Sequence, residues 1–463
     1  MFLVQLAKRL FVYANENDRF LALIPPPFPM IMKHIWLFLA LTSLLAHASP
    51  TETREWTSKA GTKVTGSALA VKSGKVQLKI NDKTIVVPLH QLSEEDQTFL
   101  KSHFGENASA LQPAGASNAE NLVTDGLAHP IGQVVGPLDA GKGTSYFLYI
   151  PKSLRKGRLA PLLHYNGAGG GSADSVQRLI AGAETNGWII AANVQSKNGP
   201  DHPVKNHEYA KQCVEHLIDT LPIDPKRVYF TGESGGGAMT FYNAAQCKSA
   251  GGIPQIGYIP PEVRVTSGDF FIISGTTDYN RYHSAAAAKT IGKKNAIHRF
   301  FCGAHAGSPE WLMEEAIMWL NGKYLAKNKR SSQIAQEALD YEAAMIAWIK
   351  QNAENSPHRA YYWAVFLQDV YGISGTNAAA LSTISSPLAQ KPECVRYVEG
   401  IEAICEFSEK CYSPIPQQID ASQVFNHNTD KIISASEKLY EKFRGVPMIE
   451  EIVRELGKNS CPL

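Results

Sequence analysis

The stretch that most constrains this chain is RVYFTGESGGGAM, residues 227–239. Val228, Tyr229, Phe230 and Thr231 form a β-branched and aromatic run; Gly232-Glu233-Ser234-Gly235-Gly236 follows, then a small-residue helical pattern. This predicts a strand, a tight turn and a helix, with Ser234 at the apex of a G-x-S-x-G. A serine held there occupies a crowded backbone conformation, and the glycines two residues to either side let strand and helix pass without Cβ clashes. The helix start then aims free N–H groups and a positive dipole end at any oxyanion formed beside Ser234. A bare G-x-S-x-G arises readily by chance in a chain with 36 glycines. The flanking strand and helix favour a nucleophile over a structural glycine turn.

Residues 127–328 surround this elbow with alternating patterns. Strands are predicted at 146–150, 162–165, 188–193, 228–231, 270–274 and 297–301, and helices at 173–185, 207–220, 237–245, 285–291 and 309–320. Continuous apolar strands with helices between them indicate an α/β fold whose mostly parallel sheet is covered on both faces. The element order and the elbow resemble the α/β-hydrolase superfamily. Within it, the chain is most similar to small secreted esterases of the polyhydroxybutyrate depolymerase, feruloyl esterase and acetylxylan esterase type.

A serine needs a base to take its proton and a carboxylate to orient that base. The resemblance implies the chain order Ser, acid, His, each after its own strand. Asp278 follows Phe270–Gly275 within three residues, and His305 follows the 297–301 strand in Gly303-Ala304-His305. Asp269 is a weaker acid because it precedes its strand. His283 and His298 are rival bases, but one opens a helix and the other lies within a strand. Backbone N–H groups suit an oxyanion hole because they are fixed and neutral. Gly235 supplies one, and the loop Asn166-Gly167-Ala168-Gly169-Gly170-Gly171 supplies the other from Gly167 or Ala168. That loop looks like the superfamily's HG-type oxyanion loop, although Tyr165 and Asn166 separate His164 from Gly167. A phosphate-binding loop is disfavoured, since no G-x-x-x-x-G-K-[ST] and no clean G-x-G-x-x-G follows a strand.

Other positions carry weaker signals. Glu233 reads as a solvated elbow residue, Asn280, Arg281 and Tyr282 as surface residues of the acid loop, and Cys302 as a buried strand residue. No His/Cys/Asp cluster has metal-ligand spacing, so neither metal nor cofactor is implied. Little room for a lid remains between the strands, which suits an ester on a large or polymeric substrate.

Residues 53–104 make a separate small unit. Arg54-Glu55-Trp56 opens it, alternating runs occupy 63–71, 75–80 and 84–88, and Ser93-Glu94-Glu95-Asp96 caps a short helix. The R-x-W, the GKVQLK hairpin and the ending VPLHQLSEEDQTFL resemble the SLA1 homology domain 1 family. The resemblance implies a small SH3-like β-barrel. In eukaryotic adaptors such a domain binds a short peptide; here a peptide or protein ligand and a passive spacer both stay open.

The chain's 463 residues leave room for two to four domains. From Met30 or Met32 it runs through Lys33 and His34 into an apolar stretch at 35–45 and then Ala46-His47-Ala48. That reads as a signal peptide over 30–48, with 1–29 an upstream extension, so the mature chain is expected to be exported without a stable membrane span. Residues 105–126 read as a flexible linker. Residues 329–463 read as helices packing on one another or on the hydrolase, with two disulfides among Cys394, Cys405, Cys411 and Cys461. A formal net charge of +2 argues against nucleic acid as a partner. The resemblance thus implies an exported serine hydrolase of carboxylic esters. The alternatives are a peptidase on the same fold and a binding protein in which the small β unit carries the function.

Overall fold

Strand by strand, side chains of the second unit point alternately to two covered faces, which is what makes its apolar runs strands. Phe270 and Ile272 pack in one core cluster, whereas Phe271 and Ile273 pack in another. The computed structural model describes residues 51–59, 61–72, 75–81, 83–104, 127, 129–155, 157–199, 202–412 and 421–458. They divide into two compact units that part near residue 112. The segments read as upstream extension, signal peptide and linker lie outside the described residues, as does Cys461.

The first unit is an antiparallel sheet of β1 (Arg54–Thr57), β2 (Lys63–Lys72), β3 (Lys75–Ile80) and β4 (Lys83–Pro88), in that order, followed by α1 (Glu94–Phe104). Trp56, Val76, Leu78, Leu89, Leu92 and Leu100 fill its core. The R-x-W motif is an internal fastening. The Trp56 indole N–H donates to the Gly66 carbonyl at 2.9 Å, and Arg54 pairs with Asp96 of α1 at 2.9 Å. Asp96 also accepts from the Thr57 N–H at 2.7 Å, and its own N–H donates to the Ser93 hydroxyl that caps α1.

The second unit is built on an eight-stranded sheet in the order β12-β11-β10-β9-β7-β8-β6-β5. The strands are β5 (Val134–Gly141), β6 (Thr144–Tyr149), β7 (Ala160–Asn166), β8 (Ile189–Asn193), β9 (Ile223–Glu233), β10 (Gly251–Gln255), β11 (Asp269–Gly275) and β12 (Ala296–Phe301). From β8 to β12 neighbours run parallel, while β5 and β6 are antiparallel additions at one edge. The α/β fold read from the sequence is therefore borne out. Two strands carried no usable sequence signal. β5 is interrupted by Gly136-Pro137, and β10 is a five-residue GGIPQ that is strand only because it is buried between β9 and β11.

Helices α2 (Ala173–Gln177), α3 (Ile180–Asn186), α4 (Val204–Thr220), α5 (Gly235–Cys247), α6 (Arg281–Ile291) and α7 (Glu310–Asn328) cover the sheet. Seven more segments follow: α8 (Ala335–Asn352), α9 (Pro357–Val365), a π-helical turn (Phe366–Tyr371), α10 (Gly375–Ala389), α11 (Pro392–Phe407), a second π-helical turn (Ser408–Tyr412) and α12 (Ala421–Phe443). The last described helix is α13 (Ile449–Leu456). Met345, Trp348, Trp363 and Leu381 of α8–α10 share one core with Tyr229, Ile253 and Phe271 of the sheet. Residues of α11–α13 instead pack around Tyr282, Ala285 and Phe300.

Among the described residues the expected disulfides are not formed: Cys394, Cys405 and Cys411 are all free thiols. Cys394 and Cys405 lie eleven residues apart on α11, about 16 Å along a helix axis, beyond the reach of a disulfide. The Cys405 thiol donates instead to the His298 carbonyl.

Buried arginines join the late helices to the sheet. Arg227 of β9 reaches Glu337 of α8 at 2.6 Å and Asn321 at 2.7 Å. Arg299 of β12 and Arg359 of α9 both pair with Glu315 of α7, at 3.2 and 2.8 Å. Glu315 and Arg299 are almost wholly buried. Removing one partner of a buried ion pair leaves the others charged and desolvated, a loss of about 3–5 kcal/mol. Glu315→Ala should lower the unfolding free energy by about that amount, measured by urea titration with tryptophan fluorescence.

Candidate active site

Parallel pairing brings the C-terminal ends of β7, β9, β11 and β12 to one side of the sheet, and the loops that follow them converge there. The elbow ends β9 and begins α5. Ser234 sits at φ 56°, ψ −116°, a left-handed conformation that a side chain adopts only under steric compulsion. The compulsion comes from the neighbouring loop. A Cβ on Gly232 would stand 2.0 Å from the Asn166 carbonyl oxygen, and one on Gly236 would stand 1.9 Å from the same atom. The Ser234 N–H donates to the Gln255 carbonyl at 3.0 Å, which pins the turn to the end of β10.

Asp278 and His305, from the loops after β11 and β12, meet Ser234. His305 Nε2 lies 2.8 Å from Ser234 Oγ, and His305 Nδ1 lies 2.7 Å from Asp278 Oδ1. A carboxylate can only accept, so Nδ1–H donates to Asp278; in a neutral imidazole Nε2 then accepts, and the Ser234 hydroxyl donates to it. Asp278 is fully buried, with Oδ1 also accepting the Asn280 N–H at 3.0 Å, while the His305 side chain keeps 22% of its exposure. The arrangement can move a proton from the serine hydroxyl to imidazole without water in between.

The rivals are elsewhere. Asp269 starts β11, at the opposite end of that strand, and pairs with Lys327 at 2.6 Å. His298 is buried between Ser408 and Ser274, at 2.8 and 2.9 Å, and burial pushes its pKa down to about 3. His283 packs edge-on against Tyr258. His164 is buried on β7 against Phe230, with no hydrogen-bond partner on either ring nitrogen and a pKa pushed down by burial to about 3, so it is part of the strand rather than of the oxyanion loop.

The backbone donors also converge. As the first residue of α5, Gly235 has an N–H with no intrahelical acceptor. Of Gly167 and Ala168, it is Ala168 whose nitrogen faces the elbow, 3.4 Å from where a Gly236 Cβ would lie.

Three expectations need correction. Asn280, Arg281 and Tyr282 are buried rather than on the surface, because α6 begins there and packs under the late helices. Cys302 lies past the end of β12 and is exposed overall, yet its sulfur is crowded by α13. Desolvation, and then the carboxylates of Glu451 and Glu455, push its thiol up to about 12, which keeps it protonated. Glu233 is not merely solvated: it pairs with Arg178 at 2.5 Å, beside Gly307 of the base loop.

Sequence reasoning missed two neighbours of the site. The Tyr279 ring stacks on His305 with centroids 4.1 Å apart. The Asn198 amide stands against Gly235, held by its own N–H bond to the Ala168 carbonyl at 2.8 Å. The "D-Y" after the acid strand was the only hint of the first. The second arrives from a loop after β8 that carries no motif.

Residues 46–108 match SLA1 homology domain 1, SHD1, so the resemblance of the first unit is borne out. No curated protein matches the chain. Among solved structures, the chain is similar to an esterase from Pyrobaculum calidifontis, at 15% identity, covering 46% of this chain and 87% of that one, with a TM-score of 0.33. It is likewise similar to an S-formylglutathione hydrolase from Staphylococcus aureus, at 12% identity, 42% of this chain, 100% of that one and TM-score 0.33. A structure of fungal esterases from Rhizomucor miehei matches at 12% identity, with 43% and 83% coverage and TM-score 0.34. The α/β-hydrolase fold rests on the chain's own sheet order and elbow.

Because the Asn166 carbonyl occupies the space a methyl group would need, Gly236→Ala should displace the elbow. Loss of serine labelling by a fluorophosphonate, with a lowered melting temperature, is the expected result.

Proposed function

We propose that the chain is an exported serine hydrolase of carboxylic esters. The observation that carries this reading is the unbroken hydrogen-bond chain from Ser234 through His305 to buried Asp278, at 2.8 and 2.7 Å. Ser234 Oγ attacks the ester carbonyl carbon while its proton passes to His305 Nε2. The resulting oxyanion is held by the N–H groups of Gly235 and Ala168, aided by the N-terminal end of α5. His305 returns the proton to the departing alcohol, leaving an acyl group on Ser234. Water then attacks the acyl carbon, giving its proton to His305, and the acid is released as Ser234 recovers its proton. Asp278 holds the imidazole in the required tautomer and stabilises the imidazolium that forms twice in the cycle.

The rim of the site supports a large substrate. Gly169, Lys197, Asn198, Gly199, Ala304 and Ala306 are all exposed around it, leaving room for an ester borne on a polymer. Export is supported by the signal-like sequence at 30–48. For the small β unit, its SHD1 match supports a role in holding a peptide or protein ligand.

Purified protein should be labelled by a fluorophosphonate probe, and Ser234→Ala and His305→Ala should abolish labelling. Asp278→Asn should lower kcat for a soluble ester by about 10⁴-fold. A folded wild type that takes no label would exclude the activated serine.

A further inference from the structure

The acid loop has a buried support. Arg281, the first residue of α6, is fully buried, and its guanidinium spans from the acid loop to the end of the chain's last described helix. Nη1 donates to the Asp278 carbonyl at 2.9 Å, and Nη2 donates to the Lys458 carbonyl at 2.9 Å and to the Tyr282 hydroxyl at 2.6 Å. The Arg281 backbone N–H closes on the same Asp278 carbonyl at 3.2 Å. The rings of Tyr282 and Tyr412 flank the guanidinium, with centroids at 4.4 and 5.3 Å, and the Tyr412 hydroxyl donates to the Leu456 carbonyl.

The acid loop is thus joined through one buried side chain to the turn that follows α13 (Ile449–Leu456). A guanidinium is a costly choice for simple packing, because desolvating it must be offset by well-placed acceptors. What it supplies is directional: a planar fork that fixes the Asp278 backbone relative to the Lys458 turn. The side chain of Asp278 has few alternatives once its own carbonyl is held.

We propose that Arg281 is a positioning residue, tying the Asp278 loop to the turn after α13 so that the carboxylate stays aligned with His305. This rests on the serine-hydrolase reading. Arg281 acts only through Asp278, so its effect disappears when the carboxylate is already gone.

The test is a double-mutant cycle on a soluble ester, with Arg281→Gln, Asp278→Asn and the double variant, each accompanied by a thermal melt. Arg281→Gln should lower kcat by about 10–100-fold, less than loss of the acid itself, with KM changed by less than about 3-fold. In the Asp278→Asn background the same change should cost less than about 3-fold, because the two residues act as one unit. An unchanged kcat for folded Arg281→Gln, or an equal loss in both backgrounds, overturns the proposal. Should Arg281→Gln not accumulate as folded protein, Arg281→Lys carries the same cycle and the same criterion. Wild type labelled by fluorophosphonate with an additive cycle would sink this inference alone; unlabelled wild type would sink the hydrolase reading and this inference with it.

Discussion

One carbonyl oxygen, that of Asn166, stands where side chains at 232 and 236 would have to be. Because β7 and β9 are hydrogen-bonded neighbours, the loop leaving β7 passes directly beside the turn leaving β9. Only glycine at both positions lets that turn close, and closing it forces Ser234 into the left-handed region. The same contact brings the Ala168 nitrogen to the start of α5. Ser234 and the Ala168 nitrogen are therefore not placed independently: one steric constraint between two adjacent strands sets both. The strain at Ser234 is held by the backbone bond from its N–H to Gln255 and by the packing of α5 on the sheet.

The rest of the second unit holds the acid and the base against that fixed point. Asp278 and His305 come from loops after β11 and β12, the last two strands at one edge of the sheet. An edge is a weak support, and here the late helices reinforce it. Arg299 on β12 is locked to Glu315, which also binds Arg359 of α9, and Arg281 links the acid loop to the turn after α13. Buried ion pairs add little net stability compared with apolar packing, but they tolerate few geometries. Using them here sets the register between sheet and helices and so passes rigidity to the loops. The helical region is thus part of what holds the site.

How much of this was legible follows from how local each cause is. The central strands announced themselves because burial on both faces demands continuous apolar runs. The β-elbow announced itself because its glycines are required within five residues of one another. Asp278 and His305 could be placed because each trails a readable strand by a few residues. β10 was not legible: Gly251, Gly252 and Pro254 are poor strand formers, and only the neighbours on either side make them one. The burial of Arg281 was missed for a related reason. Its partners, the Lys458 carbonyl and the Tyr412 ring, lie more than 130 residues away, and nothing local marks an arginine as interior. The free thiols of Cys394, Cys405 and Cys411 show the same limit, since cysteine spacing says nothing of the helix that separates two of them.

The sequence alone determined the class of fold, the existence of the small β unit, and which serine, carboxylate and imidazole belong to one site. Those are consequences of short-range rules: side-chain period, turn sterics and the distance of a residue from the end of its strand. Tertiary structure alone decided that Ala168 rather than Gly167 stands beside the elbow, that Tyr279 and Asn198 border it, and that Arg281 links the acid loop to the turn after α13. Each of these is a contact between segments far apart in the chain. Which segments meet depends on the order of strands in the sheet, and that order follows from the packing of the whole unit rather than from any one stretch of it.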